Sequence, residues 1–183
     1  MSDEPDNDED WPRELGFLLE RHPRATWPVA TSPTVSFWLE VHDRLRRACA
    51  GIELASDDYR AGRLTDAQLA VIAVPRMNGL FAAVFGHHRV EDVQYFPAFR
   101  RQEPRLAAGF DRLERDHTEL ARNVDAARHA LAELRAAAAH TRAPAHAAQR
   151  YVVASRGLCD NLCRHLLAEE ELVVPVLLAH VEH

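Results

Sequence analysis

Two copies of a histidine–glutamate pair are the residues of this sequence best placed to do chemistry. His87 precedes Glu91 by four residues, His165 precedes Glu169 by four, and a proline follows each histidine after ten. On an α-helix, positions four apart differ by about 40° around the axis and about 6 Å along it, so both side chains of a pair point the same way. Two such helices facing each other direct two imidazoles and two carboxylates to one point, as a metal site requires.

Two more histidines lie on apolar stripes of predicted helices. His42 follows Val35 by seven residues, and His117 follows Phe110 by seven, a spacing that keeps each pair on one helix face. A single buried histidine is ordinary, but a buried glutamate must be paired or bind a metal. The combination therefore predicts a metal site with six protein ligands: His42, His87, Glu91, His117, His165 and Glu169.

The donor types indicate which metal fits. Imidazole and carboxylate without thiolate suit iron or manganese, and zinc less specifically, and six ligands are too many for one four-coordinate zinc ion. Two ions bridged by Glu91 and Glu169, with the four imidazoles as terminal ligands, use the whole set and leave positions open for O₂, peroxide or NO. The donor set therefore leaves both iron and manganese open, with zinc as a less specific substitute. On a helix Cys163 lies about 200° from His165, so Cys159 and Cys163 are predicted to pack in the core.

The elements that position these residues are predicted to be four long amphipathic helices. Ser32 or Thr34 should cap the first, and Thr65-Asp66-Ala67-Gln68 has the pattern of a capping box for the second. Prolines should kink or end two of the helices. Short connections between four such helices predict an all-α fold, an up-down-up-down four-helix bundle. The predicted helices cover about 34–55, 65–100, 104–139 and 145–174, with Pro75 and Pro175 as the expected breaks.

Composition sets the wider frame. The 183 residues fit one domain, with 47% apolar residues and a net charge of −6, which argues against a nucleic-acid surface. No stretch approaches 18 consecutive apolar residues, so no membrane span is expected. Three cysteines make no disulfide framework, so we expect a reduced, cytoplasmic setting. We predict an acidic disordered tail at 1–10, a proline-punctuated N-terminal arm at 11–33 with a possible helix over Arg13–Arg21, and the bundle at 34–183.

The spaced residues together resemble the hemerythrin-like (HHE cation-binding) family over about residues 34–180. The resemblance rests on His42, His87-x-x-x-Glu91 with Phe96-Pro97, Asp116-His117, and His165-Leu166-x-x-Glu169-Glu170. It implies a four-helix bundle with a non-haem di-iron centre, the six residues above as ligands and the two glutamates as bridges. The ferritin-like alternative needs Glu-x-x-His on two helices, and the bundle helices offer it once, at Glu114–His117.

The sequence departs from the oxygen-carrying members of that family. On the third helix these members carry a second histidine four residues after the first, and this chain has Ala121 at that position. On the fourth helix they carry a carboxylate five residues after the histidine, whereas here Glu169 comes four residues after His165. The site thus looks one imidazole short of a carrier and has one more open position. His88 adjoins His87 but is predicted to point about 100° away, so it would supply a ligand only through rearrangement.

Three functions follow as hypotheses. The first is a di-iron protein that binds or reacts with O₂, peroxide or NO, and peroxide turnover is a plausible activity. Tyr95 either donates protons or electrons to this site or packs as an aromatic residue at the helix end. The second is an iron, oxygen or redox sensor or an iron-storage module, whose N-terminal arm offers a surface to a protein partner. The third is a metal-free helical interaction module.

Overall fold

The computed structural model of this protein describes residues 13–29, 32–139 and 146–181. Within these ranges the chain is all-helical and contains no strand. The predicted tail at 1–10 and the third connection at 141–144 lie outside them. The elements are α1 (Arg13–Arg21), a 3₁₀ turn (Arg24–Val29), α2 (Pro33–Arg60), α3 (Asp66–Val90), a π-helical turn (Glu91–Tyr95), α4 (Phe96–Gln102), a 3₁₀ turn (Pro104–Leu106), α5 (Ala107–Ala139) and α6 (Ala147–Val181).

The helix starts follow the local sequence. Ser32 caps α2, its side chain accepting a hydrogen bond from the Val35 N–H at 3.4 Å, and Pro33 takes the first turn, where a missing N–H does no harm. Thr65 and Gln68 form a reciprocal capping box at the start of α3. Both starts are as the sequence predicted.

Two prolines that were expected to break helices do not end them. α3 continues through Pro75, and α6 continues through Pro175 to Val181. A proline inside a helix loses one backbone hydrogen bond. Its neighbours compensate by packing, because Ala73, Met77, Val174 and Val176 are buried on either side of the two prolines.

The four long helices pack around a shared interior. α2 contacts α3 and α6, and α5 contacts the same two helices. The interior has two apolar clusters: one contains Leu45 and Leu166, the other Trp38 and Leu172. The predicted ligands fall between them, so the polar residues are enclosed by apolar packing at both ends.

The π turn joins α3 to α4 in one helical segment, Asp66–Gln102. The Phe96 N–H donates to the Glu91 carbonyl, the bond from residue i+5 to residue i that defines the turn. By length and composition alone this segment is long and apolar enough to cross a membrane, a test that core helices of soluble proteins also pass. In this structure α3 packs against α2 and α5, and 39% of the apolar window is buried.

The described part of the N-terminal arm packs on the domain. α1 forms over Arg13–Arg21, as predicted, and lies against α6. Leu18 and Trp27 are each 4% exposed and belong to the same apolar cluster as Trp38. The arm is therefore part of the core that closes one end of the ligand cluster.

Candidate metal centre

All six predicted ligands meet in one buried cluster between the four long helices. α2 supplies His42 and α5 supplies His117, while α6 supplies His165 and Glu169. His87 comes from the end of α3, and Glu91 opens the π turn that follows it. The side chains are between 0% and 9% exposed. Residues from five elements, the four long helices and the π turn, thus converge, although they are spread over more than a hundred positions of the sequence.

Glu169 lies at the centre of this cluster. Its Oε2 is 3.5 Å from Nε2 of His42, 3.8 Å from Nε2 of His87 and 3.6 Å from Nε2 of His165. Three imidazoles from three helices therefore direct the same ring nitrogen at one carboxylate oxygen.

Glu91 makes a second link across the cluster. Its Oε1 is 2.9 Å from Nδ1 of His87, and its Oε2 is 3.6 Å from Nε2 of His117. Both carboxylates therefore reach imidazoles on opposite sides of the site, which is the placement that two bridging carboxylates need.

His88 also lies in the cluster, in a position that the sequence left open but did not favour. It is 8% exposed, and its ring stacks on that of His117 with centroids 3.9 Å apart and planes 9° apart. His87 lies four residues before Glu91, and His88 lies three residues before it. Both spacings bring a side chain onto the same helix face as Glu91. The three-residue spacing between His88 and Glu91 indicates that His88 can face the site. The angle of about 100° between His87 and His88 points to the opposite conclusion.

The potential ligands fall into two groups, within each of which the donor atoms lie no more than 4.8 Å apart. The first group is His42, His87, Glu91 and Glu169, and the second is His88, His117 and His165. Both carboxylates belong to the first group but also contact imidazoles of the second: Glu91 contacts His117, and Glu169 contacts His165.

The π turn sets the direction of Glu91. In a regular α-helix, residues five apart point about 140° away from each other. The i+5 bond of the π turn adds a residue to this turn and brings Glu91 and Phe96 nearly above one another. Both are buried, at 1% and 0% exposure, so the helix can supply a ligand and then a core aromatic on the same side.

Carboxylates also stand behind three of the imidazoles, at Nδ1. For His42 and His117 the contact is a hydrogen bond, which fixes the ring and leaves Nε2 to face the site, and ligand histidines in metal proteins usually have such a partner. For His165 the carboxylate lies beyond hydrogen-bond distance. The Nε2 atoms of His117 and His165 lie only 3.0 Å apart. The partners are Glu170 Oε1 at 3.0 Å from His42, Asp92 Oδ1 at 2.8 Å from His117, and Asp116 Oδ2 at 3.7 Å from His165.

The unsatisfied atoms of the cluster test whether it fits a cation. Nε2 of His42, His87 and His88, and both carboxylate oxygens of Glu91 and Glu169, are buried without a hydrogen-bond partner. The 2.9 Å contact of Glu91 Oε1 with Nδ1 of His87 is an ion-pair distance that lacks the geometry of a hydrogen bond. Burial of such groups costs several kcal/mol, roughly 2–7 each, unless they are paired or bind a metal. Nitrogen and oxygen donors facing one another across a dry interior fit a cation well.

The charge states of the metal-free cluster lead to the same conclusion. Burial and the nearby Glu169 raise the pKa of Glu91 well above its ordinary value. Burial alone would raise the pKa of Glu169, but His42, His87 and His165 outweigh it and hold that pKa well below its ordinary value. Burial alone would lower the pKa of His42, but Glu169 and Glu170 raise it to about 9. The proton held by His42 thus reduces the net negative charge of the metal-free cluster, which a bound cation would otherwise neutralise.

Burial favours the neutral form of three other imidazoles, His87, His88 and His117. Burial lowers the pKa of His87 to about 4. Burial, together with the neighbouring imidazoles, also lowers the pKa values of His88 and His117. A neutral imidazole is the form that binds metal, so these three rings need lose no proton at neutral pH.

Comparison with protein families gives a match to the hemerythrin HHE cation binding domain over residues 34–177. The chain belongs to this hemerythrin HHE family. Comparisons with curated proteins and with solved structures gave no match. The matched span contains every residue of the cluster, and family membership implies a metal cation-binding site in this hemerythrin-like domain. The resemblance inferred from the sequence is therefore confirmed.

An apolar groove of about 660 Å³ leads from the surface to the second group. It runs between α3 and α5, and His88 and His117 lie in its lining. Val84 and Phe85 line it from α3, and Ala121 lines it from α5. The alanine that stands where an oxygen carrier has a histidine thus opens on a path to the cluster.

Two other groups singled out in the sequence lie outside the two ligand groups. Tyr95 packs edge-on against Trp38, with centroids 4.9 Å apart, and stacks on Phe99. Cys49 and Cys159 are buried in an apolar cluster and Cys163 packs against it. Neither ligand group found among the described residues includes a thiol.

Proposed function

We propose that this hemerythrin-family protein is a non-haem di-iron protein that binds or reacts with O₂, peroxide or NO. The observation that carries the proposal is the buried cluster of five imidazoles and two carboxylates. In this cluster Nε2 of His42, His87 and His88 and all four carboxylate oxygens lack hydrogen-bond partners. We take α2, α3, α5 and α6 to be an up-down-up-down four-helix bundle around it. Manganese or zinc would substitute for iron, and the cytoplasm would be its location.

The two groups of ligands suggest how the ions would be held. His42 and His87 would bind one ion, while His88, His117 and His165 would bind the other. Glu91 and Glu169 would bridge them, which is supported by the contacts of each carboxylate with imidazoles of both groups. When bound, the irons would supply Lewis acidity, redox electrons and open positions for a diatomic ligand or peroxide.

His88 changes the comparison with oxygen carriers. With His88 the cluster has five imidazoles, so the ring missing at position 121 has a replacement from α3. The replacement leaves the α3–α5 side of the site open at Ala121, where the groove enters. This opening favours a site that small molecules reach easily, and so favours reaction with peroxide or NO as well as O₂ binding.

The protein itself would orient ligands and limit water. The Nδ1 contacts of His42 and His117 with carboxylates hold their rings. The apolar clusters on both sides keep bulk water from the cluster, which strengthens the electrostatic interactions inside it.

The experiment that tests this proposal is metal analysis with optical spectroscopy of the full chain. We expect about two irons per chain after anaerobic iron loading, since two carboxylates can bridge two ions, and oxo-bridged ferric bands after oxidation. Peroxide loss should be rapid in this form and slow in the Glu91→Ala variant. A chain that takes up no metal would overturn the proposal. Equal peroxide loss in both proteins would remove peroxide turnover alone.

A sensor or iron-storage module is the second candidate, and one contact favours a sensor. Arg24 of the N-terminal arm donates to Glu170 at 3.0 Å, and Glu170 contacts His42. A surface element is thus linked to the cluster, and through it a protein partner could respond to metal or redox state. Metal-dependent binding of such a partner, without peroxide turnover, would distinguish this function.

A further inference from the structure

Glu170 lies directly behind the cluster and is held by three basic groups. It is 1% exposed. Its Oε1 lies 3.0 Å from Nδ1 of His42 and accepts a hydrogen bond of 2.6 Å from Nη1 of Arg46, and its Oε2 accepts one of 3.0 Å from Nη1 of Arg24. A carboxylate this buried needs such partners to stay charged.

The position of Arg24 is set by the N-terminal arm. Trp27 is 4% exposed in the core, and its indole N–H donates to the carbonyl of His22 at 2.9 Å. The guanidinium of Arg24 lies over the Trp27 ring, 4.6 Å from its centroid. Packing of the arm therefore places the guanidinium, and the guanidinium reaches the carboxylate behind His42.

We propose that Glu170 is a positioning residue for His42 and that Arg24 makes the N-terminal arm a metal-responsive part of the site. Glu170 accepts the Nδ1–H of His42, which directs Nε2 toward Glu169. Arg24 and Arg46 keep Glu170 in place. This inference rests on the metal site proposed above and adds to it a link from the site to the surface.

The coupling follows from charge. A cation on Nε2 makes the imidazole a stronger donor at Nδ1, so the bond to Glu170 tightens when metal binds. Glu170 fixed in this way is a better partner for Arg24. Because coupling is reciprocal, an arm held by Arg24 must in turn raise metal affinity.

The test measures Fe²⁺ affinity of the full chain by anaerobic competition with a chelator. We expect Glu170→Gln to lower affinity roughly 10–100-fold, the usual effect of losing a residue that orients a metal ligand. Arg24→Gln should lower it about 5-fold or more, and Arg24→Lys should restore part of the loss. Arg47→Gln is the matched control, because Arg47 is exposed and pairs with Asp43.

Two further readouts separate positioning from simple stability. In the zinc-loaded protein, the Nδ1–H proton of His42 should give a downfield NMR signal that moves in Glu170→Gln and, to a smaller extent, in Arg24→Gln. Trypsin should cleave the Arg21–His22 bond more slowly with metal than without it, and Arg24→Gln should remove that difference. Circular dichroism would verify that each variant is folded. If Glu170→Gln does not fold, the measurements on Arg24→Gln test the inference.

The outcomes distinguish this inference from the proposed function. If the wild-type chain binds Fe²⁺ and both variants keep its affinity, the inference is overturned and the metal site stands. If metal leaves cleavage at Arg21 unchanged in the wild type, the arm is not coupled to the site. If the wild-type chain binds no Fe²⁺, both proposals fail.

Discussion

At the scale of single residues, His88 has the largest consequence for the proposed site. It supplies the third imidazole of the group formed with His117 and His165. His88→Ala should therefore lower occupancy of one of the two ions while leaving the group around His42 intact. We expect metal content to fall from about two irons toward one per chain, or affinity for the second ion to fall about 10–100-fold.

Titration with Fe²⁺ followed by metal analysis measures this effect. His129→Ala is the matched control, because the His129 side chain is 80% exposed on α5. Unchanged iron content and unchanged Fe²⁺ affinity in His88→Ala would mean that the His88 ring packs on His117 and does not bind metal.

The pKa of His42 predicts how stability of the metal-free protein depends on pH. Folding raises this pKa from 6.5 to about 9, so between these values the folded chain holds a proton that the unfolded chain has released. Its stabilising effect is complete below pH 6.5 and is lost as pH rises through about 9, with a slope of up to about 1.4 kcal/mol per pH unit. The raised pKa of Glu91 acts in the same direction.

Urea unfolding of the metal-free protein at pH 7, 8 and 9 would measure this loss. In the metal-loaded protein, Nε2 of His42 is occupied and the slope should be much smaller. A metal-free stability that stayed constant or rose over this range would contradict the assigned charge of His42.

At the scale of elements, the groove between α3 and α5 should control access to the site. Ala121 is exposed in its lining, so Ala121→Phe would fill part of it without touching a proposed ligand. We expect unchanged metal content and slower reaction of the reduced protein with peroxide or NO in stopped-flow measurements. Ala126→Phe, also exposed on α5 and outside the lining, is the control. Equal rates in the two variants would mean that small molecules enter by another path.

The elements also show what the sequence could predict. His87 with Glu91, and His165 with Glu169, are pairs within one helix, so their spacing alone predicts a shared direction. The caps at Ser32 and Thr65 are local for the same reason. Local rules thus gave the helices and six of the residues that meet.

Features that depend on packing between elements could not be predicted in the same way. Whether His88 points inward depends on how α3 is rotated against α5, and the π turn depends on burying both Glu91 and Phe96. The contact of Arg24 with Glu170 joins residues 146 positions apart. Helix spacing carries no information on such a contact.

At the scale of the whole molecule, the cluster makes folding depend on metal. The four long helices meet around two carboxylates and several ring nitrogens that lack hydrogen-bond partners, so the metal-free fold retains an uncompensated cost. A ligand that binds only the folded state stabilises it by about 2.7 kcal/mol at 100 times its dissociation constant. Iron loading should therefore raise the melting temperature by several degrees, about 2–4 °C per kcal/mol for a chain of this size.

The double variant Glu91→Gln, Glu169→Gln separates this effect from general packing. It keeps the size of both side chains but removes the charges that hold a cation, so its melting temperature should be independent of iron. Its metal-free form should melt below the metal-free wild type, because Glu169→Gln leaves the buried, protonated His42 without one of its two carboxylate partners. Calorimetry of the four samples, wild type and variant with and without iron, decides the matter. Equal melting temperatures for both wild-type forms would mean that hydrogen bonds inside the folded chain already satisfy the cluster, which would then be a polar core without a metal.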